Sequence, residues 1–383
     1  MLDVNKEKCT GCGACRDVCP KQCITLQPDS LGAIYPIVET EVCIKCGICV
    51  KTCPIERPLE FHNPIRVYAA WSNSAHVRLT SASGGIAYEL YRYWIQKGGV
   101  ATGVVYERAK GCHFVLLEKE SDIRPTQNSK YTFSDTDGIY KVVKEKLEAG
   151  FSVLFIGVPC QVAGLYGFLK KRYNNLVTVD IVCHGMPPAT YLKQHIESIE
   201  NKKDEHTSEL YFRDPKYHTN SFTFTLRNKE GKEFYNKKVL STDNYQLGYH
   251  RALIYRENCY HCRYARRERI SDLTISDFFG LGRFAPCNFE KNNISCVIPN
   301  TSVGLDIIQS IDVILKDRPM EEAFNVEKQL QHPSSKHLQR EKFEKEYKMS
   351  KSYNKAATKA LKKEKVICFI ARVNKILRTI IKR

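Results

Sequence analysis

Cys9-Thr10-Gly11-Cys12-Gly13-Ala14-Cys15-Arg16-Asp17-Val18-Cys19-Pro20 returns later in the chain as Cys43-Ile44-Lys45-Cys46-Gly47-Ile48-Cys49-Val50-Lys51-Thr52-Cys53-Pro54. Both copies have the C-x2-C-x2-C-x3-C-P spacing that holds a pair of cubane [4Fe-4S] clusters, in which three thiolates of a run take one cluster and the fourth reaches across to the other. On that logic Cys9, Cys12, Cys15 and Cys53 hold cluster one, and Cys43, Cys46, Cys49 and Cys19 hold cluster two. Three thiolates wrapped around one corner of a cube need tight backbone turns, which Gly11, Gly13 and Gly47 permit. Pro20 and Pro54 end each loop. Structural zinc or a disulfide scaffold would need less, since zinc asks only for paired C-x2-C units.

The rest of the composition fits an intracellular redox protein. The chain has 17 cysteines in 383 residues, yet no apolar segment with a small-residue cleavage site precedes Cys9, so a reducing, cytoplasmic setting is expected. No uninterrupted apolar stretch reaches the roughly 18 residues of a membrane span. Cys23, Cys112, Cys287, Cys296 and Cys368 have no assigned partner and read as free thiols.

The formal charge of +17 is unevenly placed. From Lys336 to Arg383 there are sixteen Lys and Arg against four Glu, so most of the surplus belongs to the last segment. There Val366, Phe369, Ile370, Val373, Ile376, Leu377, Ile380 and Ile381 recur at helical spacing, interleaved with Arg372, Lys375, Arg378 and Lys382. Such a basic amphipathic helix can lie on the anionic inner face of a membrane, or its apolar side can dock on the body or on a second subunit. No recognised nucleic-acid-binding module accompanies the charge.

Between the cysteine runs, Ile24 to Leu26 and Ile34 to Val38 read as a hairpin. Asn63 and Pro64 mark a boundary, after which strands alternate with amphipathic helices. Val67 to Trp71 and Val100 to Tyr106 read as strands flanking a helix from Gly84 to Lys97, and Ile139 to Leu147 as another helix. Val153 to Ile156 and Val177 to Val182 are apolar runs joined by a predicted helix over Gln161 to Lys171, the pattern of neighbouring parallel strands. Phe222 to Leu226 and Leu273 to Phe278 continue the strand signal, and Ala285 to Asn300 reads as irregular.

A third constellation sits on this body. Cys160 follows the first of the paired strands and Cys183 ends the second, so both stand at carboxyl strand tips, where open α/β sheets place ligands. Cys259 and Cys262 add a C-x2-C pair on a loop before another strand. These four thiolates suit a third [4Fe-4S] cluster, and from spacing alone they also suit structural zinc.

From Arg66 to Gly282 the chain resembles the beta subunits of coenzyme F420 hydrogenases and dehydrogenases, together with their ferredoxin-fused bacterial relatives. The resemblance lies in Thr80-Ser81-Ala82-Ser83-Gly84-Gly85, in Ser129-Lys130-Tyr131, and in Val153-Leu154-Phe155-Ile156-Gly157-Val158-Pro159-Cys160-Gln161-Val162-Ala163-Gly164-Leu165. It continues in Val179-Asp180-Ile181-Val182-Cys183-His184-Gly185 and in Cys259-x2-Cys262 followed by Asp272-Leu273-Thr274-Ile275-Ser276-Asp277-Phe278-Phe279-Gly280. The resemblance implies FAD beside a cubane cluster, iron at the four-cysteine site, and flavin or substrate contacts at Lys130 and Asp277. Val158, Ser276 and Phe279 depart from the family pattern, which usually has Thr, Gly and Trp there. A physical argument adds Ser81, Ser83, Gly84 and Gly85, placed at a predicted helix start whose free N–H groups and hydroxyls can cradle a pyrophosphate. No G-x-G-x-x-G follows a strand, so a Rossmann-type site is not supported. His184 and His261 read as supports beside ligands, and no catalytic acid or base is assigned.

The expected fold class is α+β. Residues 1–63 form a ferredoxin-like domain with two [4Fe-4S] clusters, and residues 64–150 a flavin-binding region. Residues 151–335 carry the third cysteine site on a largely parallel sheet, and residues 336–383 form a basic helical tail. The expected activity is that of an iron-sulfur flavoprotein oxidoreductase passing electrons through the clusters to FAD and an organic substrate. Relatives of this type accompany glycan assembly or reduce a tetrapyrrole side chain, so the family does not fix the substrate. The alternatives are a coenzyme F420 hydrogenase or dehydrogenase beta subunit, or an electron-transfer adaptor without a substrate. The expected partner is a ferredoxin or a hydrogenase or dehydrogenase subunit.

Overall fold

The computed structural model describes residues 4–239 and 241–381, with side chains described through Ala371. Near the N-terminus, β1 (Ile24–Pro28) and β2 (Ile34–Val38) pair antiparallel from Ile24 opposite Val38 to Pro28 opposite Ile34. Asp29 closes their turn, its Oδ1 accepting from the Leu31 and Ala33 N–H groups at 2.9 and 3.1 Å. The two cysteine runs flank this hairpin, as the repeat requires.

The body is organised around one eight-stranded sheet. It is built from β3 (Val67–Ser72), β4 (Val100–Glu107), β5 (Gly111–Leu117), β6 (Val153–Gly157) and β7 (Leu176–Ile181) together with later strands. A separate three-stranded sheet holds β8 (Glu209–Tyr211), β9 (Phe224–Arg227) and β10 (Glu233–Lys237). The large sheet is completed by β11 (Leu273–Asp277), β12 (Ser295–Pro299) and β13 (Val313–Arg318), in the order β13-β3-β12-β11-β7-β6-β4-β5.

The pairing corrects the expectation of a largely parallel sheet. β4, β6, β7 and β11 are parallel in the centre, but β5 on one side and β12, β3 and β13 on the other pair antiparallel. The sheet is therefore mixed, and strands from residues 64–150 and 151–335 share it. The stretch read as irregular from Ala285 to Asn300 contains β12, whose five residues are all buried between β3 and β11. Its polar, asparagine-rich approach hides a strand too short to show periodicity.

Both faces are covered, as parallel strands require. Val153 and Phe155 pack with Ile139, Tyr140 and Val143 and with Val162 and Leu165, under the helices Ile139–Glu148 and Pro159–Leu169. The alternate residues Leu154 and Ile156 pack with Ile86, Leu90 and Trp94 of the helix Ile86–Gln96. This is the period-two alternation of a strand buried twice over.

The C-terminal segment also departs from the expectation of a separate tail. Phe343, Tyr347, Tyr353, Ala356, Ala357, Ala360 and Leu361 are buried against Tyr191, Phe212, Phe224 and Tyr245, so the helices Arg340–Ser350 and Tyr353–Ala360 belong to the core around the small sheet. A further helix runs Lys362–Ile381. Cys368 is buried in the same core, while Val366, Phe369 and Ile370 are exposed. The side chains expected to continue that apolar face and its basic flank, Arg372, Val373, Lys375, Ile376, Leu377, Arg378, Ile380, Ile381 and Lys382, lie outside the described residues. Among the described residues no helix is long and apolar enough to cross a membrane.

Candidate functional site

The first cysteine run turns at Gly11 and Gly13, with φ of +67° and +80°, and its third cysteine sits in the single helical turn Ala14–Asp17. The second run repeats this at Gly47, φ +71°, before Ile48–Thr52. Cys9, Cys12, Cys15 and Cys53 come together. Burial pushes the Cys12 thiol up to about 12, with Cys9 and Cys53 adding to the effect. Cys15 is pushed up by burial and then by Cys12, Cys9 and Cys53. Cys19, Cys43, Cys46 and Cys49 instead ring a second cavity. Each run thus places its fourth cysteine beside the other's group. Cys46 is exposed, so this outer cage opens to solvent. Cys23 is buried beside it, its Sγ 3.5 Å from that of Cys19.

The third group assembles at strand tips. Cys160 lies in the first turn of the helix after β6, Cys183 lies just beyond β7, and Cys259 and Cys262 lie at the short turn Glu257–His261, all four lining one cavity. Burial, then Cys183, Cys262 and Cys259, and then Cys12 all push the Cys160 thiol up. Thiols that destabilise one another's thiolate form are suited to a bound cation. Arg269 and Asp180 support the site in a buried ion pair at 2.5 Å, and the Met186 N–H donates to Cys259 Sγ at 3.4 Å.

Val158, Cys183, His184, Gly185 and Met186 form a wall between this cysteine cavity and a much larger one of about 600 Å³. The large cavity lies over the ends of β6, β7 and β11 and reaches the start of the helix Ile86–Gln96. Ser81, Ser83, Gly85, Lys130 and Asp277 line it, so most of the sequence-predicted cofactor residues share one space. Their polar groups are partly committed elsewhere. Ser83 Oγ donates to the Ile294 carbonyl at 2.8 Å. The Gly84 N–H donates to Ser295 Oγ at 2.9 Å, which takes it out of the expected pyrophosphate cradle. Gly84 is needed for packing, because a Cβ there would meet the Ser295 backbone nitrogen at 2.8 Å.

Lys130 is also an internal strut. Its Nζ donates to the carbonyls of Pro125, Thr126, Gln127 and Asn128 at 3.3, 2.9, 2.8 and 3.2 Å, folding the loop that lines the cavity. Burial lowers it to about 8. Asp277 accepts from Arg213 Nη1 through both carboxylate oxygens, at 2.8 and 2.7 Å.

Four polar atoms of the lining are buried without a partner among the described residues: Asn128 Oδ1, Thr132 Oγ1, His250 Nε2 and Glu327 Oε2. Such atoms call for a ligand's hydrogen bonds. Tyr131 stacks on Tyr249 with ring centroids 4.5 Å apart, and Phe222 lies beside them. His250 is held down at about 4 by burial and by nearby His184, Arg213 and Arg251, so its imidazole is neutral at pH 7.

Comparison with known proteins matches residues 8–56 to the 4Fe-4S dicluster domain and residues 151–320 to the C terminus of the coenzyme F420 hydrogenase/dehydrogenase beta subunit. Residues 151–320 are thus similar to that beta-subunit family. The beta-subunit region carries Cys160, Cys183, Cys259 and Cys262 together, and the dicluster domain carries the other eight cage cysteines. A curated relative, the F subunit of the F(420)H(2) dehydrogenase of Methanosarcina mazei, is 25% identical over 187 residues, covering 46% of this chain and 53% of that protein. The chain thus spans about half the length of the curated relative it matches. A chain of the F420-reducing [NiFe] hydrogenase complex from Methanosarcina barkeri superposes with TM-score 0.43 and 17% identity, over 68% of this chain and 84% of that one.

The departures from the beta-subunit pattern, Val158, Ser276 and Phe279, all line the large cavity. Phe279 is exposed and meets His184 edge-on, whereas Val158 stands in the wall toward the cysteine cavity. Sequence reasoning missed Arg213, His250 and Glu327. They lie far from any motif, and only the carboxylate at Asp277 hinted that a cationic partner had to exist.

Proposed function

We propose that the chain is an iron-sulfur flavoprotein oxidoreductase with three [4Fe-4S] clusters and one FAD, acting on an organic substrate. Cys43, Cys46, Cys49 and Cys19 hold the outer cluster, Cys9, Cys12, Cys15 and Cys53 the middle one, and Cys160, Cys183, Cys259 and Cys262 the inner one. The observation that carries the reading is the shared wall at Cys183, a residue that lines both the inner cysteine cavity and the large cavity.

The donor geometry supports clusters rather than single zinc ions. Zinc–sulfur bonds of about 2.3 Å hold four sulfurs within roughly 4 Å of one another. Among the described residues, no three cage thiols have their sulfurs all within 4.8 Å of one another. The large cavity fits a flavin through its volume, its stacked rings and its orphaned polar atoms.

Clusters carry single electrons, and a flavin exchanges one electron at a time with them and two, as hydride, with an organic partner. The protein's part is placement. Lys130 fixes the loop that presents Asn128 and Thr132, and the Arg213–Asp277 pair braces the opposite wall. The neutral His250 offers a hydrogen bond without adding charge. His184, Glu327 and Phe279 line the side left for a substrate.

The matched relatives also support a second reading, a beta subunit of a coenzyme F420 hydrogenase or dehydrogenase complex with a redox partner subunit. Anaerobic analysis of iron, acid-labile sulfide and flavin tests the proposal: about twelve irons and one FAD per chain are expected. About eight irons with zinc and no flavin would overturn it and leave an electron-transfer adaptor. Reduction of coenzyme F420 by the loaded protein would favour the second reading.

A further inference from the structure

Arg256 is 1% exposed and reaches toward two of the cysteine cages. Its Nη2 donates to the Ile34 carbonyl at 2.9 Å and to the Cys9 carbonyl at 3.5 Å, on the side of the middle cage. Its Nε donates to Asn258 Oδ1 at 3.3 Å. Tyr35 and Phe133 lie around the guanidinium, with ring centroids 5.0 and 5.1 Å from its carbon. The remaining nitrogen, Nη1, is buried with no partner among the described residues. The same side chain lines the inner cavity with Cys160, Cys183, Cys259 and Cys262.

None of these partners is a carboxylate. Arg269, the other fully buried arginine beside the inner cage, is neutralised by Asp180. A buried charge without a counter-ion is strongly unfavourable, and charges kept inside proteins are paired or bind ions. Arg256 touches both sides: its Nη2 donates to the Cys9 carbonyl at 3.5 Å, and its side chain lines the cavity of Cys259 and Cys262. The missing negative charge is what thiolate-bound clusters in the middle and inner cages would supply.

Resting on the three-cluster reading, we propose that Arg256 sets the reduction potentials of the middle and inner clusters, as a positive charge shared between them and out of reach of the outer one. Adding one electron takes a four-thiolate cubane from a net charge of about −2 to about −3. A fixed cation favours the more negative state, so Arg256 raises both potentials and makes these two clusters the preferred resting places of an electron.

The test is an anaerobic redox titration of the holoprotein, followed by electron paramagnetic resonance, beside an iron count. Arg256→Gln should lower two of the three midpoints and leave the third in place. Arg256→Lys, which keeps the charge, should hold all three near the wild type. Asn258→Asp places a carboxylate against Nε with little change of shape, and should lower the same two midpoints by a smaller step. If Arg256→Gln loses iron, Asn258→Asp decides: a fall in two midpoints supports the proposal, and three unmoved midpoints overturn it. Unmoved midpoints in an iron-replete Arg256→Gln protein overturn it as well, as does a shift in Arg256→Lys as large as in Arg256→Gln. A wild-type chain with fewer than about twelve irons would instead sink the three-cluster reading.

Discussion

Cys12 packs directly on Gly164. A Cβ built on that glycine would stand 3.1 Å from Cys12 Sγ, 3.0 Å from its Cβ and 2.6 Å from the Tyr140 hydroxyl. The helix Pro159–Leu169, which carries Cys160 in its first turn, therefore presents a bare backbone to the first cysteine run. Gly167 does the same for Thr52, next to Cys53. Polar contacts finish the joint: Thr136 Oγ1 donates to the Cys12 carbonyl at 3.1 Å, and Arg263 Nη1 to the Pro54 carbonyl at 3.1 Å.

Gly164→Val should push the first cysteine run off the helix. Overpacking of this kind costs about 1–3 kcal/mol, so a lower Tm is expected, together with slower passage of electrons from the outer cage to the inner one in stopped-flow reduction. Unchanged kinetics would mean that this contact is not the route.

Replacing Cys183 by Ala removes one donor of the inner cage and part of the wall to the large cavity. Iron should fall from about twelve to about eight per chain, and the flavin should become easier to wash out. Iron that stays at the wild-type level would show that the inner cage holds no cluster.

Asp277→Asn leaves the Arg213 guanidinium, which is 3% exposed, without its charge partner. Breaking a buried pair from one side typically costs about 3–5 kcal/mol, and the lower end applies here because the Asp277 side chain is itself 22% exposed. Reduced flavin occupancy should accompany the loss, read by released flavin after gel filtration. Arg213→Met should be milder, since the carboxylate can turn to solvent.

The buried pair of His195 and Asp243, at 3.0 Å, ties the long helix Ala189–Lys203 to the start of Asn244–His250. Burial alone would raise Asp243, but His195 and the Gln246 N–H bring it to about 2. Burial alone would lower His195, but Asp243 and Asn354 hold it above its ordinary value. The Asp243 contribution is present above about pH 4 and is lost as pH falls toward 2. That of His195 is present below about pH 6.5 and is lost as pH rises through its folded value. The Tm difference between wild type and Asp243→Asn should therefore be widest between about pH 4 and 6.5, and a flat difference from pH 4 to 9 would contradict this.

What could be read in advance was set by local spacing. The exchange of Cys19 and Cys53 between the cysteine groups follows from the repeat itself, and Cys160 and Cys183 could be placed because each directly ends an apolar strand. β12 could not, because its partners β3 and β11 are set by the whole sheet. The lysines between Phe343 and Leu361 drew attention to charge, although the aromatic and alanine positions among them are what the body buries. Arg213 and Arg256 were invisible for a related reason: each acts on groups remote in sequence, and no periodicity records such a pairing.

The place of β3 has a consequence for biosynthesis. Its neighbours in the sheet are β12 and β13, which follow it by more than about two hundred residues, or roughly ten to forty seconds of translation. During that interval β3 is a nascent strand with both edges unclaimed, while the cysteine-rich unit ahead of it has already emerged. Iron loading of the first two cages can thus precede the closing of the sheet, and a ribosome stalled before residue 295 would leave a metal-bearing head on an unfinished, aggregation-prone body.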